Sequence, residues 1–115
     1  MSDCIFCKII NKELPAEILY EDEEIISFKD IHPAAKVHAL IIPKKHIPAV
    51  TEIAVEDQEL IGKIYTVVNI VAKKLNISET GFRVIVNCGE DGKQLVPHLH
   101  FHLLGGEDLG PKIVH

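Results

Sequence analysis

The chain has 115 residues, of which 47% are hydrophobic and 25% charged, and its formal net charge is −5. This composition is typical of one globular domain spanning residues 1–115. The sequence has no long cluster of lysine or arginine, which argues against a nucleic-acid groove. No apolar run approaches the ~20 residues of a membrane span. The sequence start lacks a secretory pattern, so we expect a cytoplasmic protein with no nucleic-acid or membrane partner.

Hydrophobic spacing predicts an α+β domain. In chain order, the predicted elements are a short helix at 4–10, strands at 17–20, 24–29 and 37–42, a long helix at 56–75, and strands at 82–87 and 98–104. In the long helix, apolar residues recur every three or four positions. Because most strands follow one another after short turns, we expect an antiparallel sheet of about five strands with both helices on one side.

Three histidines occupy alternate positions of the last predicted strand. Strand alternation places His98, His100 and His102 on one face, about 6.5–7 Å apart along the strand. Burying three imidazoles together costs free energy unless each has a partner, so this pattern indicates a function. The residues leave two readings open: a tris-histidine metal site, or a nucleophilic imidazole whose neighbours handle protons and phosphate oxygens. Asn87, Gln94 and nearby glycines favour the second reading, because they can hydrogen-bond an anion.

Two of the three cysteines form a CxxC pair near the start of the chain. Cys4 and Cys7 have the spacing of a redox pair or of half a metal site. No strand precedes them, which favours metal, and the alternative is a pair of thiols on the short helix. Cys88 stands alone, and we assign it no role.

The run His98-Leu-His100-Phe-His102-Leu-Leu-Gly-Gly resembles the signature of the histidine triad (HIT) superfamily. Four further segments, at 5–10, 28–31, 42–47 and 86–87, resemble its HINT branch, the histidine triad nucleotide-binding proteins. The resemblance covers nearly the whole chain and implies the HIT-like fold. It also implies a homodimer in which the helix at 56–75 supplies part of the interface.

The resemblance implies a hydrolase that cleaves purine nucleoside 5′-phosphoramidates or related nucleotidyl conjugates. His100 would attack the α-phosphorus and form a nucleotidyl-histidine, and His102 would assist the leaving group. Asn87 and Gln94 would hydrogen-bond phosphate oxygens, and Asp30 would accept from the ribose hydroxyls. The pocket for a base of the AMP or GMP type would be lined by Ile5, Phe6, Ile9, Leu14, Phe28 and Ile31.

The same resemblance implies a structural zinc ion. Its ligands would be Cys4, Cys7, His46 and His98, a closed Cys2His2 set. Such an ion would fix the ring of His98 and anchor the strand that carries the other two histidines.

Several alternatives stay open at this point. A nucleotide-binding sensor without catalysis, a dinucleoside polyphosphate hydrolase and a metal-dependent hydrolase would each use the same residues. Phe6, Ile9 and Phe28 also fit a plain core, and Asp30 fits a turn. Leu95 departs from the resemblance, because HINT members often have serine or threonine beside the glutamine; a hydroxyl contact to the phosphate or the leaving group is lost there.

Overall fold

A computed structural model describes residues 4–111 of the chain. Its elements are α1 (Ile5–Ile10), β1 (Ile18–Glu21), β2 (Ile25–Lys29), β3 (Val37–Pro43), two 3-10 turns (Val50–Glu52 and Val55–Asp57), α2 (Gln58–Lys74), β4 (Phe82–Val86) and β5 (Phe101–Gly105). The strands form one antiparallel sheet in the order β1-β2-β3-β5-β4. The predicted α+β class and five-stranded sheet are therefore confirmed.

The two helices cover opposite faces of the sheet, so the expectation of both helices on one side is wrong. In β3, Ala39 and Ile41 belong to the core cluster that includes residues of α2. Leu40 and Ile42, which point the other way, belong to the cluster that includes Phe6 of α1. The sequence feature that indicates cover on both faces is the apolar run in β3, because a strand covered on both faces lacks the alternation of apolar and polar residues.

The last strand is shorter than predicted and begins at Phe101 instead of His98. β3 ends opposite this segment at Pro43, which has no N–H to continue a ladder. Residues 98–100 run on outside the ladder, where the Leu99 N–H donates to the Ile47 carbonyl over 2.6 Å. The predicted alternation nevertheless holds, because Leu99 and Phe101 are buried on the α2 side.

The long helix starts two residues later than expected, at Gln58, after a 3-10 turn. The turn is held by the buried carboxylate of Asp57, which accepts the Ala54 N–H over 2.9 Å and the Lys45 ammonium over 2.6 Å. Among the helices of residues 4–111, none combines the length and the apolar character needed to cross a membrane.

Candidate active site and metal cluster

The three triad histidines lie on the α1 side of the sheet, under the ring of Phe6. That ring makes edge contacts with His98 and His100 at centroid distances of 5.9 and 5.0 Å. The rings of His100 and His102 are also 5.0 Å apart. Folding therefore brings the three imidazoles together on one face, as strand alternation predicts.

His100 is buried, with 6% of its surface exposed, and its ring is oriented by the backbone. Its Nδ1–H donates to the carbonyl oxygen of His98 over 2.7 Å. The lone pair of the neutral ring is then on Nε2, on the far side of the imidazole from that carbonyl. Burial lowers the pKa of His100, which favours this neutral form at pH 7.

His98 is fully buried and faces the CxxC pair. Its Nε2–H donates to the carbonyl oxygen of Pro43 over 2.8 Å, so the lone pair of the neutral ring is on Nδ1. That Nδ1 lies 3.3 Å from Cys4 Sγ, 3.6 Å from Cys7 Sγ and 3.1 Å from His46 Nδ1. Cys7 Sγ and His46 Nδ1 are also 3.3 Å apart.

These four residues, Cys4, Cys7, His46 and His98, form the CxxC cluster. All four ligand atoms lie within 4.8 Å of one another. A tetrahedral zinc with bonds of about 2.0–2.3 Å separates its ligands by about 3.3–3.8 Å, which these distances approach. The His98 ring also has the second-shell carbonyl partner that metal-bound histidines commonly have. The donor set and its geometry therefore fit the predicted zinc.

The fourth histidine of the site is His38 of β3, which is buried and which sequence spacing did not place there. Its Nε2 lies 2.9 Å from His102 Nδ1 and 3.5 Å from Asp30 Oδ2. Its Nδ1 accepts the Ala34 N–H over 3.0 Å. The available signal was a lone polar residue in an apolar strand, which becomes informative only once β3 is paired with β5.

The ring of His102 is half-buried and surrounded by other imidazoles. Burial, together with the neighbouring rings of His100 and His38, lowers the pKa of His102 to about 4. Burial also lowers the pKa of His38. Both rings are therefore neutral at pH 7 in this structure.

The predicted base-pocket residues divide into two groups. Phe6, Ile9 and Phe28 are buried in the α1-side core, as the alternative reading held. Ile5, Leu14 and Ile31 are exposed, and Ile31 has 82% of its surface in solvent. Exposed apolar side chains of this kind are available to pack against a ligand.

The residues predicted to contact phosphate and ribose differ in their hydrogen bonds within the protein. Asp30 is half-buried, and its Oδ1 accepts the His32 N–H over 2.8 Å. Asn87 is half-buried immediately after β4. The Gln94 amide braces its own loop: Nε2 donates to the carbonyls of Pro48 and Val96, and Oε1 accepts the Gly89 N–H.

Two further positions lie in the loop between β4 and the triad. Leu95 has 90% of its surface exposed. Cys88 is half-buried, and its backbone packs against Gly92, where an added Cβ would come within 2.5 Å of the Cys88 carbonyl oxygen. Only glycine therefore fits at position 92 without a shift of the loop.

The sequence matches the profile of the family described as "Scavenger mRNA decapping enzyme C-term binding" over residues 3–112. It is 42% identical over 113 residues to the purine nucleoside phosphoramidase of Escherichia coli K12, covering 98% of this chain and 95% of that protein. It is 47% identical over 105 residues to protein HitA of Neisseria gonorrhoeae, covering 91% and 97%.

Solved structures give the same result. A HIT family hydrolase from Clostridium thermocellum superimposes with a TM-score of 0.96 at 54% identity, covering 99% of both chains. The histidine triad nucleotide-binding protein from Candida albicans superimposes with a TM-score of 0.81 at 39% identity, covering 88% of this chain and 73% of that one. With its three histidines on one face of the sheet, this chain belongs to the histidine triad (HIT) family of hydrolases and nucleotide-binding proteins.

Proposed function

We propose that this protein hydrolyses purine nucleoside 5′-phosphoramidates or related nucleotidyl conjugates. The observation that carries the proposal is the orientation of His100. Its Nδ1–H is committed to the His98 carbonyl, which leaves the Nε2 lone pair for attack on phosphorus. The phosphoramidase name of the Escherichia coli relative supports the choice of substrate class.

The reaction takes two displacement steps. The His100 Nε2 lone pair forms a bond to the α-phosphorus while the phosphorus–nitrogen bond of the substrate breaks. The electron pair of that bond leaves with the amine nitrogen, which takes up one proton. Water then attacks the nucleotidyl-histidine, the phosphorus–Nε2 bond breaks, and its electron pair returns to His100. The net products are a nucleoside monophosphate and an amine, because the proton that the water releases replaces the proton that the amine nitrogen took up.

Neighbouring groups fit the other substrate parts. His102 lies beside His100 at 5.0 Å between ring centroids, where it can contact the leaving group. Asp30 Oδ2 lies 3.5 Å from His38 Nε2, so the carboxylate that would bind the ribose hydroxyls is close to the reacting centre. The exposed Ile5, Leu14 and Ile31 supply apolar surface for a purine ring.

A zinc ion held by the CxxC cluster would be structural. With Cys4, Cys7, His46 and His98 as ligands the coordination shell is full, so no position is left for a water or a substrate. The ion supplies a fixed anchor for the His98 ring. Because His98 also presents the carbonyl that orients His100, the anchor holds the nucleophile in place.

We further propose that the protein acts as a homodimer, as its resemblance to HINT proteins implies. β4 is an edge strand of the sheet, and α2 exposes Tyr65 and Ile70. Within residues 4–111, β4 has a neighbouring strand on one side only, and such an edge together with exposed apolar helix residues suits a second copy of the chain. Sedimentation of the protein would test this assembly directly.

The function is tested by following hydrolysis of an adenosine 5′-phosphoramidate without added metal. We expect turnover by the wild type and a loss of about 10⁴-fold or more in His100→Ala. The matched control is His32→Ala, which removes an exposed histidine outside the triad. Bound zinc is counted in all three proteins, so that a loss of activity is not confused with a loss of the metal cluster.

Quenching with alkaline denaturant and mass spectrometry under non-acidic conditions would detect the nucleotidyl-histidine on His100, because its phosphorus–nitrogen bond is labile in acid. Tight binding of a mononucleotide with no turnover by the folded wild type would instead support the sensor. Cleavage of diadenosine polyphosphates but not of phosphoramidates would support the polyphosphate hydrolase. A chemical step abolished by chelation in a protein that stays folded would support metal-dependent hydrolysis.

A further inference from the structure

We infer that His38 is a positioning residue for the proposed hydrolysis: it holds His102 in the tautomer whose proton is on Nε2, so that His102 presents a hydrogen-bond donor to the leaving group. The inference rests on the proposed function for its chemistry, but its structural part concerns only hydrogen positions. Neither the triad signature nor the relatives' names assign a role to His38.

A backbone amide determines which nitrogen of His38 carries the proton. The Ala34 N–H donates to His38 Nδ1 over 3.0 Å, and a backbone amide has no alternative protonation state. His38 Nδ1 must therefore be the unprotonated nitrogen of the ring. In a neutral imidazole the proton is then on Nε2.

The carboxylate of Asp30 favours the same assignment. Its Oδ2 lies 3.5 Å from His38 Nε2, where a protonated nitrogen is attracted and a lone pair is repelled. The opposite tautomer would place a ring N–H against the Ala34 N–H and a ring lone pair against the carboxylate. Two repulsive contacts would replace two attractive ones, so the Nε2–H form of His38 is strongly preferred.

The proton of His38 fixes His102 in turn. His38 Nε2–H lies 2.9 Å from His102 Nδ1, a normal hydrogen-bond distance. His102 Nδ1 must accept, so the proton of its neutral ring is on Nε2. Nε2 is on the far side of the ring from His38, and the next ring on the triad face is that of His100, 5.0 Å away. The Ala34 backbone N–H therefore sets the direction of both hydrogen bonds, the one to His38 and the one from His38 to His102.

This arrangement matters most for substrates with a poor leaving group. A departing alkylamine develops more negative charge on nitrogen than a departing nitroaniline, so it depends more on a donor at that atom. A His102 free to choose its tautomer would present a lone pair there for part of the time. Loss of His38 should therefore slow alkylamine release more than nitroaniline release.

Two substitutions distinguish the roles of the two ring nitrogens of His38. In His38→Gln the amide nitrogen reaches the position of Nε2 and can still donate to His102. In His38→Asn the shorter amide reaches only the position of Nδ1, where it can accept the Ala34 N–H but cannot contact His102. The control is His32→Gln in the loop between β2 and β3, where the histidine is exposed.

The first readout is the tautomer of His102, from the ¹⁵N chemical shifts of its ring in the zinc-loaded protein at pH 7. We expect Nε2–H in the wild type, in His38→Gln and in the control, and a mixture in His38→Asn. A wild-type His102 that carries its proton on Nδ1 would overturn the inference without any variant. So would an unchanged His102 tautomer in folded His38→Asn.

The second readout is kcat for two adenosine phosphoramidates, one with an alkylamine and one with 4-nitroaniline as the leaving group. In His38→Asn we expect a loss of about 10²-fold for the alkylamine and a loss severalfold smaller for the nitroaniline. His38→Gln should restore both values. Equal losses for both substrates in both variants would overturn the inference. If the wild type turns over neither substrate but the tautomers behave as expected, the proposed function fails while the positioning of His102 stands.

Discussion

Two histidine clusters lie on the same side of this sheet, yet they are suited to opposite tasks. In the CxxC cluster, the backbone partner of His98 is a carbonyl, which takes the Nε2 proton and leaves Nδ1 as a lone-pair donor. In the pair formed by His38 and His102, the backbone partner of His38 is an N–H, which occupies Nδ1 and leaves a proton on Nε2. One backbone group thus decides whether a histidine cluster can bind a metal or donate a hydrogen bond.

The two clusters contain similar types of metal-ligating residue. Asp30, His38 and His102 also bring three potential ligand atoms within 4.8 Å. A metal on His38 Nε2 would require the proton to move to Nδ1, where it would meet the Ala34 N–H. We therefore expect one metal ion per chain, in the CxxC cluster, although both clusters contain metal-ligating residue types.

The largest expected effect follows from removing a thiolate from the CxxC cluster. Cys7→Ser should lose the zinc, and with it the stabilisation that binding supplies, about 4 kcal/mol when free metal exceeds its dissociation constant a thousandfold. Metal content and urea unfolding check this. Cys88→Ser is the matched control, because Cys88 lies outside the cluster, and it should retain both metal and stability. A Cys7→Ser protein as stable as wild type would contradict the assignment.

The fold was predictable because each element has a strong local signal. The apolar repeat at 56–75 forms α2, and the apolar runs at 24–29 and 37–42 form β2 and β3. The placement of α1 was not predictable by the same means, since six residues give no face assignment of their own. Only the burial of both faces of β3, which needs two covering layers, shows where α1 lies.

The part of the site that lies within one short segment was predictable from the sequence. The part that depends on strand pairing and on backbone hydrogen bonds was not. His98, His100 and His102 share a face because alternation alone puts them there. His38 joins them through the pairing of β3 with β5, in which Leu40 lies opposite His102. The tautomers of His98 and His38 are decided by the Pro43 carbonyl and the Ala34 N–H. These are backbone groups, and their positions cannot be predicted from residue types.

A second prediction concerns pH and separates the His38–His102 pair from the metal cluster. Because the pKa of His102 falls from its ordinary 6.5 to about 4 on folding, the unfolded chain takes up a proton between these values and the folded protein does not. The free energy of unfolding should therefore decrease as the pH is lowered from about 6.5 to about 4.

Substituting the titrating ring tests that prediction. His102→Gln should make the dependence of stability on pH shallower, by at most about 1.4 kcal/mol per pH unit and by less where solvent screens the ring. Urea unfolding of both proteins at a series of pH values, with the same excess of zinc, measures the difference. Parallel curves for the two proteins would show that His102 titrates normally in the folded state.

A third prediction tests what supports the CxxC cluster. The Gln94 amide joins the loop before His98 to the Pro48 carbonyl, two residues after His46. Gln94→Ala removes these hydrogen bonds and should lower the free energy of unfolding by about 1–2 kcal/mol. It should also weaken zinc binding severalfold in competition with a chromophoric chelator. Leu95→Ser is the control, because Leu95 is almost fully exposed and its substitution should change stability by less than about 0.5 kcal/mol.

The smallest expected effect is also the most direct test of the comparison. Ala34→Pro removes the backbone N–H that donates to His38 Nδ1 and leaves every histidine in place. His38 is then free to carry its proton on Nδ1, so Asp30, His38 and His102 become a competent set of metal ligands.

We therefore expect a second, weak zinc site in Ala34→Pro, detectable by titration calorimetry only after the CxxC cluster is saturated. The matched control is Ala35→Pro, which adds proline one residue later, at a position where no hydrogen bond of the N–H is present within residues 4–111. A folded Ala34→Pro protein that still binds one zinc would show that the His38–His102 pair is excluded from metal binding by something other than the Ala34 amide. A second site in Ala34→Pro and none in Ala35→Pro would show that one backbone proton separates a donor pair from a metal site.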